Sequence, residues 1–201
     1  MNLFIDLDGT VLDASERLYK LFRHLRPQSP LSLDHYWKLK RSKVNHAEIL
    51  RRSGETEDSI LAFETEWLAL IEAPPWIDLD VPIPGVDGTL GRLSKRAALH
   101  LVTARQYAEP VHRQLRHYEL AKHFTSVLVT GRGQSKADLL HAVPSLSPRD
   151  WVIGDTGHDV EVGHQLGLKA AAVLTGFLSA DSLRTYAPDL LLESINDFQL
   201  P

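Results

Sequence analysis

The chain reads Ile-Asp-Leu-Asp-Gly-Thr-Val-Leu-Asp at residues 5–13, directly after a short apolar run at its amino terminus. Side chains alternate along an extended strand, so Asp6 and Asp8 point the same way if the strand persists through them. Gly9 permits the sharp exit that follows. Two carboxylates packed this closely repel each other, which favours a bound cation or a perturbed pKa. The stretch therefore predicts a strand that ends in an acidic site, although Asp-Gly-Thr alone is typical of a turn.

The composition is that of an ordinary globular protein of 201 residues, with 43% hydrophobic and 24% charged residues. The formal net charge of −4 gives no general reason to expect nucleic acid or an anionic membrane as a partner. The absence of cysteine excludes disulfides, thiolate zinc sites and cysteine nucleophiles. The sequence contains no apolar run of about 18 residues and no basic amino terminus followed by a long apolar stretch. We therefore expect a cytoplasmic protein.

Short apolar runs recur along the chain, and each is followed by a turn or a helical pattern. They lie at residues 2–5, 99–102, 127–129, 151–153 and 170–174, and a sixth at 189–192 would be an edge strand. Runs of this length that do not alternate with polar residues are typical of parallel strands covered on both faces. The sequence thus predicts an α/β fold with a doubly wound, Rossmann-like parallel sheet.

More than 80 residues separate the first two apolar runs, which is too long for a single crossover. The interval carries helical patterns at residues 15–25 and 56–72. We therefore expect an inserted helical cap domain at residues 14–82, with prolines stiffening its exit. Residues 1–13 and 83–201 would form the Rossmann-like core.

Charge within this interval is segregated. Residues 17–52 hold ten lysines and arginines against two acids, whereas residues 53–80 hold eight acids and no base. One interpretation is that two solvated helix faces attract each other. The other is that some bases face the active cleft and attract an anionic substrate. The candidates for that role are Lys40, Arg41 and Lys43, because the break that follows them indicates a loop between cap helices.

Polar residues also follow the later apolar runs. The second run ends in Thr103, and the fourth ends in Gly154 and Asp155, with Asp159 four residues later. Lys136 opens an apparent helix between them. In an open parallel sheet, ligands bind beyond the carboxyl ends of the strands, near the point where the strand order reverses. The sequence therefore predicts one crevice lined by Asp6, Asp8, Thr103 and Asp155.

The joint pattern is Asp-x-Asp-Gly-Thr, then Thr, then Lys, then Gly-Asp-x-x-x-Asp. In this order and spacing it resembles the haloacid dehalogenase superfamily of phosphotransferases, over nearly the whole chain. The helical interval looks like the cap that one subgroup of the superfamily inserts after the first strand. The resemblance is closest to phosphoglycolate phosphatase-like members. It implies a Mg²⁺-dependent phosphatase that acts on a small soluble phosphate monoester.

The resemblance also implies roles for individual side chains. Asp6 would be the nucleophile and would form an aspartyl-phosphate. Asp8 would protonate the leaving alkoxide and then deprotonate the hydrolytic water. Thr103 would donate its hydroxyl to a phosphoryl oxygen, and Lys136 would place an ammonium beside the same group.

A magnesium ion is the cofactor that the resemblance implies. Its ligands would be Asp6, the backbone carbonyl of Asp8 and Asp155. Asp159 would hold a metal-bound water or orient its neighbours. The bound ion would reduce the repulsion between an anionic ester and an anionic nucleophile, which otherwise opposes direct attack.

One position departs from the family pattern. Many relatives carry Asn after the threonine of the second motif, whereas this chain has Ala104 followed by Arg105. An amide contact to the phosphate or the substrate is then missing unless Arg105 replaces it. The candidate substrate-binding residues around this position are therefore Thr103, Ala104, Arg105 and Lys136.

Two other functions fit the same residues. A phosphomutase resembling β-phosphoglucomutase would use the same aspartyl-phosphate but pass the group to a sugar. A non-catalytic regulator would keep the crevice only to sense phosphate or a metal ion. The regulator is disfavoured by the presence of Asp8 beside Asp6, because a sensor needs no acid–base group. Whether the protein is a monomer or a dimer stays open at this level.

A second Asp-Gly-Thr occurs at residues 87–89. It has Gly85 where the first acid of the motif should stand, and no apolar strand precedes it. We therefore expect these residues to form a turn and not to contribute to the crevice.

Overall fold

The computed structural model describes residues 1–144 and 146–200. Its strands are β1 (Asn2–Ile5), β2 (Leu12–Asp13), β3 (Val81–Pro82), β4 (Ala98–Thr103), β5 (Ser126–Val129), β6 (Trp151–Gly154), β7 (Lys169–Val173) and β8 (Leu190–Leu192). Six of them form a parallel sheet in the spatial order β5-β4-β1-β6-β7-β8. Every apolar run is therefore a strand, and β8 lies at an edge, as predicted.

Nine helices accompany these strands in the described part of the chain. They are α1 (Ser15–Leu25), α2 (Leu33–Arg41), α3 (His46–Arg52), α4 (Glu57–Leu70), α5 (Val86–Leu93), α6 (Ala108–His117), α7 (Lys136–His141), α8 (Gly157–Gln165) and α9 (Ala180–Arg184). Short 3-10 turns occur at Ile77–Leu79, Ala121–His123 and Ile195–Asp197. Within the described residues, no helix is both long enough and apolar enough to cross a lipid bilayer.

Both faces of the sheet are covered, because successive side chains of a strand point to opposite faces. Leu3 and Ile5 of β1 pack in one cluster with the apolar residues of α5 and α6. Phe4, which lies between them, packs in another cluster with α7 and α8. This arrangement explains why β1 is apolar at every position, and it confirms the doubly wound α/β fold.

The order of the strands reverses at β1. The chain passes from β1 to β4 and β5 on one side and then returns to β6, β7 and β8 on the other. In an open α/β sheet, this switch point is where a crevice forms beyond the carboxyl ends of the strands. Asp6 follows β1 directly and donates its backbone N–H to the carbonyl of Ile153 in β6 at 2.9 Å. The first acidic residue of the motif therefore lies at the switch point.

Helices α1 to α4 lie between β2 and β3, and we call residues 15–70 the helical segment. The helical patterns at 15–25 and 56–72 correspond to α1 and α4. Three of the four helices begin at a residue whose side-chain oxygen accepts a backbone N–H of the first turn: Ser32, Asn45 and Thr56. The segment has its own core, which is built around Phe22 and Phe63.

Ion pairs link the basic and the acidic halves of the helical segment. Arg26 donates to Glu55 at 2.7 Å, and Arg51 donates to Glu57 at 2.8 Å. Both pairs join a base of residues 17–52 to an acid of residues 53–80. For these four residues, the charge segregation is explained by attraction between helix surfaces.

The expected turn at residues 87–89 is wrong, because these residues belong to α5. Gly85 precedes the helix in a left-handed conformation, with φ of 84°. The hydroxyl of Thr89 donates to Oδ1 of Asn196 at 2.7 Å, which fixes this helix to the end of the chain. The tripeptide therefore has a structural role away from the crevice.

The two connections between the helical segment and the sheet run side by side, since β2 pairs with β3 in antiparallel orientation. Beside them lies a closed ring of four charged groups, the charged ring, formed by Asp8, Arg17, Asp80 and Arg105. Arg105 donates to both oxygens of Asp8, at 2.8 Å from Nε and 2.6 Å from Nη2. Arg17 donates to Asp8 at 2.6 Å and to Asp80 at 2.8 Å. A bond of 2.8 Å from Nη2 of Arg105 to Asp80 closes the ring.

Three members of the charged ring are deeply buried, with Asp80, Arg17 and Arg105 exposed by only 0%, 3% and 4%, whereas the side chain of Asp8 is 18% exposed at the edge of the ring. Burial of charges is costly unless they are fully paired, and here two carboxylates balance two guanidinium groups. Gln114 adds an acceptor for Arg105 at 2.5 Å and a donor for Asp80 at 3.1 Å. The four charges come from four different parts of the chain, so the ring fixes the helical segment against the sheet.

We expect Asp80→Asn to lower the free energy of unfolding by about 3–5 kcal/mol, because it leaves two buried guanidinium groups with one carboxylate. Urea unfolding followed by circular dichroism measures this change. Asp78→Asn is the matched control, since Asp78 is 57% exposed and pairs with Arg113, which is 40% exposed. The control should change stability by less than about 0.5 kcal/mol. Equal effects of the two substitutions would contradict the role given to the ring.

Candidate active site

Three acidic side chains meet at the switch point, and we call them the acidic cluster: Asp6, Asp155 and Asp159. Asp6 follows β1, whereas Asp155 follows β6 and Asp159 lies in the first turn of α8. One carboxylate oxygen of each residue lies within 4.8 Å of those of the other two. All three side chains are buried. The parallel sheet thus brings together acids that are almost 150 residues apart in the sequence.

Lys136 provides a positive charge within this cluster. It is the first residue of α7, and Ser135 and Asp138 form a capping box that fixes the start of that helix. Its Nζ donates to Oδ1 of Asp6 and to Oδ1 of Asp159, at 2.5 Å in each case. Burial disfavours the ammonium form, but the two carboxylates outweigh burial and raise the pKa of Lys136 above its usual range.

One ammonium group does not balance three buried carboxyl groups. Burial raises the pKa of Asp6 to about 7, against the opposing effect of Lys136. Burial, reinforced by Asp6 and Asp159, also raises the pKa of Asp155 well above its usual range. Burial acts in the same direction on Asp159, but Lys136 outweighs it and lowers the pKa of that carboxyl. The cluster therefore lacks positive charge, which a divalent cation would supply.

The two oxygens of Asp155 differ in their surroundings. Oδ2 accepts the backbone N–H of Phe177 at 2.5 Å. Oδ1 is buried and has no hydrogen-bond partner among residues 1–144 and 146–200. A buried oxygen without a partner costs free energy, and a bound cation would remove that cost. Because hard divalent cations such as Mg²⁺ prefer carboxylate oxygens, the residues of the acidic cluster fit a magnesium ion.

Two glycines leave room for the carboxylate of Asp155. Gly9 has φ of 85°, and a Cβ atom there would lie 2.5 Å from Oδ2 of Asp155. Gly176, in the loop after β7, is packed just as closely against the same carboxylate. The hydroxyl of Thr175 donates to the carbonyl of Gly9 at 2.6 Å and so holds this loop in place. The contribution of Gly9 to the turn was predicted, whereas no sequence pattern indicated the loop at 175–177.

A cavity of about 450 Å³ lies over the acidic cluster. Thr103 and Ala104, at the end of β4, contribute to its wall together with Lys136. Arg105 also borders the cavity, but its guanidinium donates to Asp8, Asp80 and Gln114. The structure therefore gives Arg105 protein partners, and a contact between Arg105 and the substrate stays a prediction.

Asp8 borders the same cavity, but its carboxylate belongs to the charged ring and not to the acidic cluster. Burial favours the neutral form of Asp8. The guanidinium groups of Arg105 and Arg17 outweigh burial and hold the pKa of Asp8 well below its usual range. The two aspartates of the motif thus have opposite environments, since the pKa of Asp6 is raised and that of Asp8 is lowered.

The structure does not bring the three candidate cap bases into this cavity. Nη2 of Arg41 donates to the carbonyl of Leu174 at 3.0 Å. The ammonium of Lys43 lies 4.4 Å from the ring centre of Tyr186. Lys40 is half-buried, and burial lowers its pKa to about 8. Arg41 and Lys43 hold the helical segment against the region after β7, so the expectation that these bases face the cleft is corrected.

Several residues of the cavity wall were not indicated by the motifs. They are Arg17, Leu18, Ile71, Glu72, Thr156 and Phe177. The apolar residues among them have the spacing of ordinary core residues. The sequence therefore contains no indication that they line a functional cavity. Arg17 is the exception, because it is a base at a position buried together with the apolar face of α1. A buried base of this kind requires an anionic partner.

Residues 3–173 match the family model of haloacid dehalogenase-like hydrolases. The pyrophosphatase PpaX of Oceanobacillus iheyensis is 21% identical over 97% of this chain and 93% of its own. A haloacid dehalogenase-like hydrolase from Streptococcus pneumoniae has a similar structure, with a TM-score of 0.79 and 21% identity over 96% of this chain and 94% of that chain. A protein from Lactobacillus delbrueckii subsp. bulgaricus, provisionally named phosphoglycolate phosphatase, has a TM-score of 0.72 and 18% identity over 96% and 94% of the two chains. Because the family model covers most of its length, this chain belongs to the haloacid dehalogenase-like hydrolases.

Proposed function

We propose that the protein is a Mg²⁺-dependent phosphatase that hydrolyses a small phosphate monoester through an aspartyl-phosphate. The observation that carries this proposal is the position of Asp6, held by Lys136 at 2.5 Å on the floor of a cavity of about 450 Å³. A cavity of this size suits a small-molecule ester. The names of the pyrophosphatase and phosphoglycolate phosphatase relatives also support chemistry on a phosphate group.

Asp6 is the nucleophile of the proposed reaction. One of its carboxylate oxygens attacks the phosphorus of the ester, and the bond between phosphorus and the alcohol oxygen breaks. Lys136 offsets the negative charge on the phosphoryl group, and the hydroxyl of Thr103 donates to one of its oxygens. Both groups are fixed by secondary structure, at the start of α7 and at the end of β4.

The metal ligands in this proposal are Asp6, Asp155 and the backbone carbonyl of Asp8, with Asp159 beside them. The buried Oδ1 atom of Asp155, which has no hydrogen-bond partner in the described part of the chain, supports this assignment. When bound, Mg²⁺ supplies positive charge that neutralises the ester and the nucleophile as they approach each other.

Asp8 is the group that exchanges protons in the proposed reaction. It passes a proton to the leaving alkoxide and then takes one from the water that attacks the aspartyl-phosphate, which releases phosphate and regenerates Asp6. Such general acid–base help is typically worth about 10²–10⁴-fold. The ionised carboxylate held by Arg17 and Arg105 is the form that accepts the proton from water. The proton that Asp8 takes from this water is the one that it gives to the leaving alkoxide in the next turnover, so the proton balance closes over one cycle.

We further propose that residues 14–82 form the cap domain, and that residues 1–13 and 83–201 form the core. The helical segment supports this division, because its four helices lie between β2 and β3. Residues of this region also line the cavity, among them Leu18 and Ile71. Their presence over the acidic cluster limits the access of bulk water to the reaction.

The nucleophile is tested with Asp6→Asn, because an amide cannot replace the carboxylate in attack on phosphorus. Release of inorganic phosphate from p-nitrophenyl phosphate should fall by about 10⁴-fold or more. Asp78→Asn, an exposed substitution of the same kind, should keep the activity of the unmodified protein. If Asp6→Asn retained more than about a tenth of the activity, the aspartyl-phosphate mechanism would be excluded.

Conversion of a sugar phosphate without phosphate release would instead identify a phosphomutase.

Metal binding is tested by thermal unfolding, which does not depend on activity. At a hundredfold excess over its dissociation constant, Mg²⁺ should stabilise the fold by about 2.7 kcal/mol, because it binds the folded acidic cluster. Asp155→Asn should remove this stabilisation, since it replaces a charged ligand by a neutral one. Asp78→Asn should retain it. A stabilisation by Mg²⁺ of the same size in all three proteins would place the metal elsewhere.

A further inference from the structure

We infer that the alcohol part of the substrate is uncharged, so that the enzyme prefers monoesters of neutral alcohols to esters that carry a second phosphate or a carboxylate. This inference rests on the proposed function, because it takes phosphoryl transfer to Asp6 as given. Its basis is the way in which the charges around the cavity are already paired with one another.

The residues that line the cavity fall into two chemically different sets. We call the polar residues at the carboxyl ends of the strands, among them Asp6, Thr103 and Asp155, the phosphoryl half. We call the apolar residues Leu18 of α1, Ile71 at the end of α4 and Phe177 after β7 the second half. Because the phosphorus atom must contact Asp6, the alcohol part of the ester reaches the rest of the lining, which includes these apolar side chains.

The three strongly basic side chains of the lining are already engaged. Lys136 bonds carboxylates on two sides, and these groups lie in the phosphoryl half. Arg17 and Arg105 each bond both Asp8 and Asp80, at 2.6 Å and 2.8 Å. An additional anion on the substrate would compete with these carboxylates for the guanidinium groups, and an exchange would leave a carboxylate without its full set of partners. Such an exchange costs free energy and does not improve binding.

The second half of the cavity also carries a negative charge. Glu72 lies next to Ile71 and accepts the backbone N–H groups of Gln106 at 2.7 Å and Tyr107 at 3.1 Å. These bonds hold its carboxylate at the wall, where it repels an anionic group on the alcohol. Among the described residues that line the cavity, the remaining basic group is His158, which is exposed and belongs to the first turn of α8.

The three candidate cap bases Lys40, Arg41 and Lys43 are not among the residues that line the cavity. Arg41 and Lys43 bond instead to the region after β7. A carboxylate or phosphate on the alcohol part would therefore meet apolar side chains and Glu72. The same pairing disfavours a phosphomutase with a bisphosphorylated intermediate, since the second phosphate would find no available base. We thus expect this enzyme to differ from relatives whose names refer to phosphoglycolate or pyrophosphate.

The first test compares two esters of nearly equal size, phosphoglycolate and its amide, which differ in the charge of one group. Mg²⁺-dependent release of inorganic phosphate is measured, with phenyl phosphate as a reference substrate. We expect kcat/KM for the amide to exceed that for phosphoglycolate by about tenfold or more. Equal values, or a preference for phosphoglycolate or pyrophosphate, would overturn the inference while leaving the phosphatase activity intact. Absence of activity on all of these substrates would overturn the proposed function itself.

The second test adds a cation to the second half of the cavity. Ile71→Lys should shift the ratio of kcat/KM values towards phosphoglycolate by about tenfold, because the new ammonium offsets the negative charge of Glu72 at this wall. Ile71→Met is the matched control, since it changes the shape of the side chain without adding charge, and it should leave the ratio unchanged. Both proteins are checked for folding by their hydrolysis of phenyl phosphate. An unchanged ratio in an active Ile71→Lys protein would contradict the inference.

Discussion

The structure depends on the pairing of buried charges at the junction between the sheet and the helical segment. In the charged ring, Asp8 and Asp80 balance Arg17 and Arg105, and the bonds of 2.6 Å and 2.8 Å close on themselves. A buried ion pair with one partner missing is strongly unfavourable, so each member requires the other three. The ring thereby fixes four separate stretches of chain at one point, next to the switch point of the sheet.

The acidic cluster follows the opposite principle. Its three carboxyl groups share a single ammonium, that of Lys136, and burial raises the pKa of Asp6 to about 7. Satisfied charges make a rigid support, whereas unsatisfied charges make a site that binds a cation and an anionic ester. The two aspartates of the first motif belong to different groups. Asp8 is part of the balanced charged ring, whereas Asp6 is part of the acidic cluster, which lacks positive charge.

Much of this architecture could be predicted from local sequence patterns. Short apolar runs indicated all six strands of the parallel sheet, because strands covered on both faces have no polar alternation. The rule that strand ends converge at a switch point then predicted one crevice, and the structure places Asp6, Thr103 and Asp155 in it. Lys136 was predicted as a site residue because it is the first residue of a helix and lies between the second and the last motif in the sequence.

The remaining features depend on contacts between distant residues, which leave no local pattern. Nothing near Asp80 indicates that it pairs with Arg17 and Arg105, since the three come from separate elements. The charge segregation in residues 17–80 left two interpretations open, attraction between helix faces and attraction of an anionic substrate, and pairs such as Arg26 with Glu55 support the first. The tripeptide at 87–89 was assigned to a turn because no apolar strand precedes it, and the contact between Thr89 and Asn196 that fixes its helix leaves no local pattern.

The position of the charged ring limits how the helical segment can be exchanged between relatives. Arg17 lies in the first turn of α1, whereas Asp80 lies after the helical segment, directly before β3. An exchange of residues 15–80 would carry both, but an exchange of the helical segment alone would carry Arg17 and leave the other three members with the recipient. A graft without a base at the position of Arg17 would leave two carboxylates with one guanidinium group, so the compatibility of a new segment is decided at its two ends.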